Sequence, residues 1–146
     1  MTQMSLSDLA EKMRGIDIAM LSTKTASGEI ASRPMSNNGD VDYDGDSYFF
    51  TLGASRMVGD IEKDSRVSLA FSIEPGLLSG DGLFVAVEGK AQIIRDRASF
   101  EAHWAPDLDI WFEQGVDTPD LVMLRVHATR IKYWKGEEQG ELAVPE

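Results

Sequence analysis

Apolar and polar residues alternate along several segments of the chain, which is the pattern of strands that bury one face. The clearest case is segment 83–95, where small or apolar residues share one parity: Val85, Val87, Gly89, Ala91 and Ile93. The residues of opposite parity in the middle of this segment are polar. One face of this strand should therefore be buried and the other at least partly wet.

Extended character recurs in six segments: 16–25, 29–38, 47–52, 67–73, 83–95 and 122–133. A glycine-containing link at 26–28 predicts a hairpin between the first two. In the last segment the apolar parity changes near Thr129-Arg130, which predicts a bulge or bend. Most of these segments follow one another without an intervening helix, which disfavours a parallel α/β architecture. The prediction is a mainly β protein, a six-stranded, closed or partly closed antiparallel barrel.

Helices are predicted at the periphery of this barrel. Apolar residues at three- and four-residue spacing indicate short helices at about 7–15 and 55–64, with Ser55 as a candidate N-cap of the second. Further helical stretches are predicted around Trp104 and Trp111.

Length, charge and composition narrow the class of protein. A chain of 146 residues suits one domain, with a core at about 6–135 and a loose acidic tail at 136–146. With 14 Lys+Arg against 25 Asp+Glu the net charge is −11, which excludes general binding to nucleic acid or to anionic membranes. The chain has no cysteine, which excludes disulfides, thiolate metal sites and cysteine nucleophiles. The first residues resemble neither a signal peptide nor a membrane span, so we expect a soluble, cytoplasmic protein.

Motifs for metals and for hydrolysis are weak. The acidic run that starts at Asp40 begins like a calcium loop, but Thr51 stands where the bidentate glutamate belongs. His103 and His127 have no carboxylate at a recognised ligand spacing. No Gly-x-Ser-x-Gly motif is present to position a nucleophilic serine. The sequence predicts no metal site and names no catalytic residue.

Two basic segments suggest an anion site. Ser55 and Arg56 follow the strand at 47–52 and lie at the start of a predicted helix, where hydroxyl, backbone N–H and guanidinium donors can meet a phosphate. Arg33 lies in a second segment, Ser-Arg-Pro-Met-Ser at 32–36. The alternative interpretation of the first segment is an ordinary serine cap followed by a surface arginine.

The order and spacing of several segments resemble the general stress protein 26 group of the pyridoxamine 5′-phosphate oxidase-like, FMN-binding split-barrel family. They include Ala-Ser-Arg-Pro-Met at 31–35, Tyr-Phe-Phe-Thr at 48–51 with Ser-Arg at 55–56, and Ile-Glu-Lys-Asp-Ser-Arg-Val-Ser at 61–68. The resemblance continues through 87–91, 103–112 and 124–134 and covers about residues 6–135. It implies a Greek-key split barrel that dimerises and holds FMN in grooves between the subunits.

The resemblance also implies roles for individual residues. Those carried over as cofactor-binding are Arg33 and Ser55-Arg56 at the phosphate, Pro34, Met35 and Ser36 along the isoalloxazine ring, Phe50 and Thr51 in the second flavin segment, and Trp111 from the opposite subunit. The next position, Met57, is also counted as cofactor-binding, although many family members have a lysine there. Loss of that cation should weaken FMN binding, and restoring it by Met57→Lys should tighten binding.

The function implied is that of a stress-related FMN protein, an oxidoreductase that takes electrons from a reduced nicotinamide and passes them to an acceptor the sequence does not identify. Two alternatives stay open: a flavin-binding or flavin-buffering protein without turnover, and a barrel without cofactor that serves as an interaction module. A true pyridoxamine 5′-phosphate oxidase is not expected, because the chain ends soon after Trp134.

Overall fold

The computed structural model describes residues 4–39, 41–78 and 80–144, and their strands form one antiparallel sheet of seven strands. The strands are β1 (Ile18–Lys24), β2 (Ile30–Ser36), β3 (Asp46–Leu52), β4 (Arg66–Ile73), β5 (Leu83–Ile94), β6 (Leu121–Lys135) and β7 (Glu138–Ala143). The α-helices are α1 (Leu6–Met13), α2 (Arg56–Lys63) and α3 (Arg97–His103). Short 3₁₀ turns follow at Pro106–Ile110 and Gly115–Asp117. Of the helices described, none is long and apolar enough to cross a membrane.

The order of strands leaves the barrel open on one side. Neighbours pair in the order β2-β1-β4-β5-β6-β3, so β2 and β3 lie at the two ends of this path and are not paired with each other. The sheet is therefore a split barrel, as predicted. The helix α2 follows β3 in the chain after a short turn and packs against β1 and β5, which lie on either side of β4.

The predicted loose tail is wrong over most of its length, because residues 138–143 form β7. The strand β6 is long, and β3 pairs only with its first part, which leaves the edge at Arg130–Lys135 free for another strand. Leu142 of β7 packs against the main core. Gly140 lies on the ring of Tyr133, where a Cβ atom would collide with the hydroxyl group. The sheet therefore has seven strands instead of the six predicted.

The predicted bulge in the last strand is confirmed. Glu88 of β5 pairs with Arg130 and the next residue, Gly89, pairs with Ala128, so Thr129 is the extra residue of β6. Gly89 suits this position because a Cβ atom there would collide with the carbonyl oxygen of His127. The extra residue returns the apolar side chains on both sides of it to the interior, which explains the change of parity in the sequence.

Apolar residues form two clusters on opposite faces of β3. The main core lies inside the barrel and includes Phe49, Leu124 and Ile131, which are fully buried. The second cluster lies beneath α3 and the following turn, where Phe50 packs against Phe100 and Trp104 at ring-centroid distances of 5.9 and 4.8 Å. Successive residues of a strand point to opposite faces, so the two adjacent phenylalanines serve different cores.

Candidate functional site

The start of α2 has the features predicted for an anion site. Ser55 is the N-cap, and its Oγ accepts a hydrogen bond from the backbone N–H of Val58 at 3.4 Å. Arg56 is the first residue of the helix and its side chain is exposed. Within the described residues, no carboxylate or other hydrogen-bond acceptor engages its guanidinium. The positive end of the helix and a free cation therefore lie side by side.

Arg33 approaches the same region from β2, where it lies opposite Leu21 of β1. Its Nη1 donates hydrogen bonds to the hydroxyl of Thr23 at 2.9 Å and to the carbonyl oxygens of Leu21 and Ala31, both at 3.3 Å. Its Nη2 lies 4.0 Å from Oδ2 of Asp60 in α2. Since only 23% of its side chain is exposed, the guanidinium has a fixed position and a restricted set of free donors.

Burial and neighbouring charges act on Arg33 in opposite directions. Burial lowers the pKa of its guanidinium, Asp60 opposes that effect, and the charge of Arg56 lowers the pKa further. Arg33 lies 4.0 Å from Asp60, and Arg56 lies one helical turn before Asp60 in α2, so the two like charges are in the same region and repel each other. An anion placed between them would relieve that repulsion, which is the electrostatic requirement for a phosphate site.

Thr23 and Asp60 belong to this site, and the sequence analysis did not include them. Both are buried, at 2% and 5% exposure, and the Thr23 hydroxyl donates to Oδ2 of Asp60 at 3.1 Å. A signal was present for Asp60, because it falls between Val58 and Ile61 on the apolar side of α2. An acid at a buried position of an amphipathic helix needs a partner, and here the partners come from β1 and β2.

The edge strand β2 carries the next three predicted residues. Pro34 is exposed, and its place in an end strand is favourable because proline cannot donate to a neighbouring strand. Met35 is partly buried against the main core, and Ser36 is half-buried. Among the described strands β2 pairs only with β1, so its other edge has no strand partner there.

Phe50 and Thr51 of β3 differ in what they can offer. The ring of Phe50 is 7% exposed and held in the second cluster, so it is not free to stack on a ligand, and only its backbone can take part. The side chain of Thr51 is half-buried and points to the opposite face of the strand. In the second flavin segment, the Thr51 side chain and the main-chain groups are therefore the parts that can contact a ligand.

Met57 does not occupy an exposed position beside Arg56. Its side chain is 6% exposed and belongs to the main core, together with Ile61 one turn later. A lysine at this position would not simply add a cation at the phosphate, as the family resemblance implied. Its side chain would begin inside the apolar core, where a charged ammonium is unfavourable. Met57 therefore packs α2 against the main core.

Trp111 lies at the end of the 3₁₀ turn Pro106–Ile110. Its indole is 68% exposed, and the adjacent Ile110 is 79% exposed. Neither core cluster includes Trp111. The structure thus leaves this aromatic side chain free for contact with another molecule, and places it with none of the other candidate residues.

A second polar cluster lies on the outer face of β3 and β6. Oδ1 of Asp46 is 2.6 Å from Nδ1 of His127, and its Oδ2 accepts a hydrogen bond from Nη2 of Arg125 at 2.8 Å. Burial raises the pKa of Asp46, but these two hydrogen bonds outweigh it, so the pKa lies below its usual range. A nearby cavity of about 250 Å³ is lined in part by Asp46, Tyr48 and His103, and by none of the predicted cofactor residues. In the described ranges no three His, Asp or Glu residues are arranged to hold a metal ion.

The comparisons with known proteins agree with this fold. A family model described as pyridoxamine 5′-phosphate oxidase like matches residues 5–144, and the chain belongs to this family.

The chain is also similar to the following three proteins. It is 23% identical to a protein related to general stress protein 26 from Clostridium acetobutylicum, with a TM-score of 0.79 over 95% of this chain and 94% of that one. It is 25% identical to the general stress FMN/FAD binding protein from Xanthomonas citri, with a TM-score of 0.72 over 97% and 94% of the two chains. It is 26% identical to protein bli-3 of Neurospora crassa over 88% of this chain, which spans 63% of the length of that relative.

Proposed function

We propose that this protein binds FMN, with the flavin phosphate held between Arg33 and the Ser55-Arg56 start of α2. The observation that carries the proposal is that Arg33 lies beside α2, 4.0 Å from Asp60, while Arg56 stands at the start of the same helix, in a chain whose net charge is −11. A phosphate dianion would receive charge-assisted hydrogen bonds from both arginines and from the backbone of the first helical turn. A flavin-binding relative of the same fold supports the choice of ligand.

The rest of the flavin would lie along the opening between β2 and β3. The free backbone edge at Pro34, Met35 and Ser36 offers donors and acceptors to the polar edge of an isoalloxazine ring. Thr51 offers a hydroxyl from the other side of the opening. When bound, FMN supplies the redox chemistry, and the chain contributes its position and electrostatic surroundings.

A second copy of the chain would complete the site. The large apolar side chains that remain exposed include Ile110 and Trp111 near the 3₁₀ turn, and Ile18, Phe84 and Trp134 in the sheet. Such surface on a small domain favours association. In the proposed dimer, Trp111 covers the flavin of the partner.

The dimer gives a direct prediction. Light scattering of the FMN complex should give about twice the chain mass of 16.1 kDa. Replacement of Trp111 by Ala should weaken FMN binding while the protein remains dimeric, because the indole would be lost from the flavin site and not from the core. A mass of 16.1 kDa with FMN still bound would contradict the shared site.

We further propose that the bound flavin accepts electrons from a reduced nicotinamide, and that the protein is a cytoplasmic stress-related oxidoreductase. The absence of cysteine is compatible with a reducing compartment. The second candidate is a flavin-binding or flavin-buffering protein without turnover. It is favoured by the fact that Asp60, the one buried carboxylate found in the site, is already occupied by Thr23 and Arg33.

Anaerobic mixing of the FMN complex with NADH or NADPH distinguishes these two functions. Loss of the oxidised flavin absorbance faster than for free FMN supports the oxidoreductase. Bound FMN that is reduced no faster than free FMN supports the buffering protein. FMN that does not co-elute with the protein on gel filtration contradicts both.

A further inference from the structure

The buried carboxylate of Asp60 lies at the inner wall of the proposed phosphate site. It is 5% exposed, and the other inward-facing residues of α2 are apolar: Met57, Val58 and Ile61. A buried carboxylate is costly unless hydrogen bonds and opposite charge compensate it. Asp60 has both, since Thr23 donates to it at 3.1 Å and Arg33 lies 4.0 Å away.

This arrangement places a fixed negative charge beside the cation that the ligand needs. Nη1 of Arg33 is occupied by three oxygen acceptors, and its Nη2 faces Asp60. A separation of 4.0 Å is too long for a hydrogen bond and short enough for strong electrostatic interaction. Asp60 therefore partly counters the charge of Arg33 before any anion arrives, whereas none of the described carboxylates pairs with Arg56.

We propose that Asp60 sets how strongly this site prefers flavins that carry a phosphate over flavins that lack one. The proposal rests on the proposed FMN site and concerns its specificity. A phosphate dianion between Arg33 and Arg56 must share Arg33 with the Asp60 carboxylate and is repelled by it. Riboflavin has no phosphate, so its binding does not depend on this charge.

Thr23 makes the proposal testable with a small change. Its hydroxyl donates to Asp60 and accepts from Arg33, so it connects the two charged groups. An asparagine at position 60 has nearly the shape of aspartate and retains an oxygen that can accept from Thr23. Asp60→Asn therefore removes the charge and preserves most of the local geometry.

The expected effects on stability and on affinity have opposite signs. Without Asp60, the guanidinium of Arg33 is left mostly buried and repelled by Arg56, so Asp60→Asn should lower the urea concentration at the midpoint of unfolding. The same uncompensated charge should attract the phosphate more strongly. A residue with only a structural role would lower stability and FMN affinity together.

The experiment measures dissociation constants for FMN and riboflavin in the parent protein, in Asp60→Asn and in Asp64→Asn. Asp64 is the matched control, because it lies at the other end of α2, pairs with Arg66 at 2.7 Å and gives the same change in net charge. Asp60→Asn should bind FMN about three- to tenfold more tightly, with riboflavin unchanged. Asp64→Asn should leave the ratio of the two constants at the parent value.

Equal or weaker FMN binding by folded Asp60→Asn would overturn the inference while leaving the FMN site intact. A parent protein that binds FMN and riboflavin equally would instead contradict the phosphate site, and the inference with it. If Asp60→Asn does not fold, Arg33→Gln is compared with the double variant Arg33→Gln/Asp60→Asn, which removes both charges. The double variant should bind FMN more tightly than Arg33→Gln, and equal or weaker binding overturns the inference.

Discussion

Replacing Arg56 by Ala should lower the affinity for FMN by about ten- to a hundredfold, the amount expected for a lost charge-assisted hydrogen bond. Arg56 is exposed at the first position of α2, so its removal leaves the core and the Ser55 cap unchanged. In addition, no described carboxylate forms an ion pair with Arg56, whereas Arg33 lies beside Asp60. The phosphate would then depend on Arg33, whose charge is shared with Asp60.

A calorimetric titration of FMN into parent and Arg56→Ala protein measures this effect. Arg14→Ala is the control, since Arg14 is 57% exposed, pairs with Asp42 and has no contact with the site. The loss caused by Arg56→Ala should shrink at high ionic strength, because the phosphate end of the groove is exposed to solvent. If the variant binds as tightly as the parent, Ser55-Arg56 is only a helix cap with a surface arginine.

Replacing Met57 by Lys should destabilise the protein by about 2–5 kcal/mol, comparable to other severe changes at buried methionines. Met57 is 6% exposed in the main core, so the lysine must bury its amine or displace the start of α2. Either change disturbs Ser55 and Arg56. FMN affinity should therefore fall, contrary to the gain expected from the family resemblance alone.

Urea unfolding of Met57→Lys and of the control Met57→Leu shows whether the lysine destabilises the core or is accommodated without loss of stability. The leucine variant keeps the volume and apolar character of the site and should lose less than about 1.5 kcal/mol. Tighter FMN binding by Met57→Lys with an unchanged unfolding midpoint would show that the ammonium reaches the phosphate without cost. In that case position 57 belongs to the binding site and not to the core.

Much of the fold could be predicted from local patterns in the sequence. Apolar and polar residues alternate in β5 because one face of the strand is buried. In β6 the alternation changes parity, and this change predicts the bulge at Thr129. The start of α2 could be predicted because a serine cap precedes apolar residues at helical spacing. The strand β7 was missed because its side chains are mostly polar or acidic, and its position depends on the free edge of β6.

The site was harder to predict, because its contacts join residues that are distant in sequence. The family resemblance implied that Arg33 and Arg56 bind the same ligand, and the structure places Arg33 4.0 Å from Asp60, one helical turn after Arg56. It could not show that Asp60 counters Arg33, since that contact depends on how α2 packs against β1, the strand that pairs with β2. The spacing of Met57 from Ile61, four residues along a helix, already indicated that Met57 is buried. The family resemblance matches residues one position at a time and does not take that spacing into account.

The central claim is that the flavin phosphate provides a large part of the binding energy. The most direct measurement is a calorimetric titration of the parent protein with FMN and with riboflavin at low ionic strength. FMN should bind at least about tenfold more tightly, since its phosphate adds one or more charge-assisted hydrogen bonds. Equal affinities for FMN and riboflavin, or no binding of either, would contradict the account.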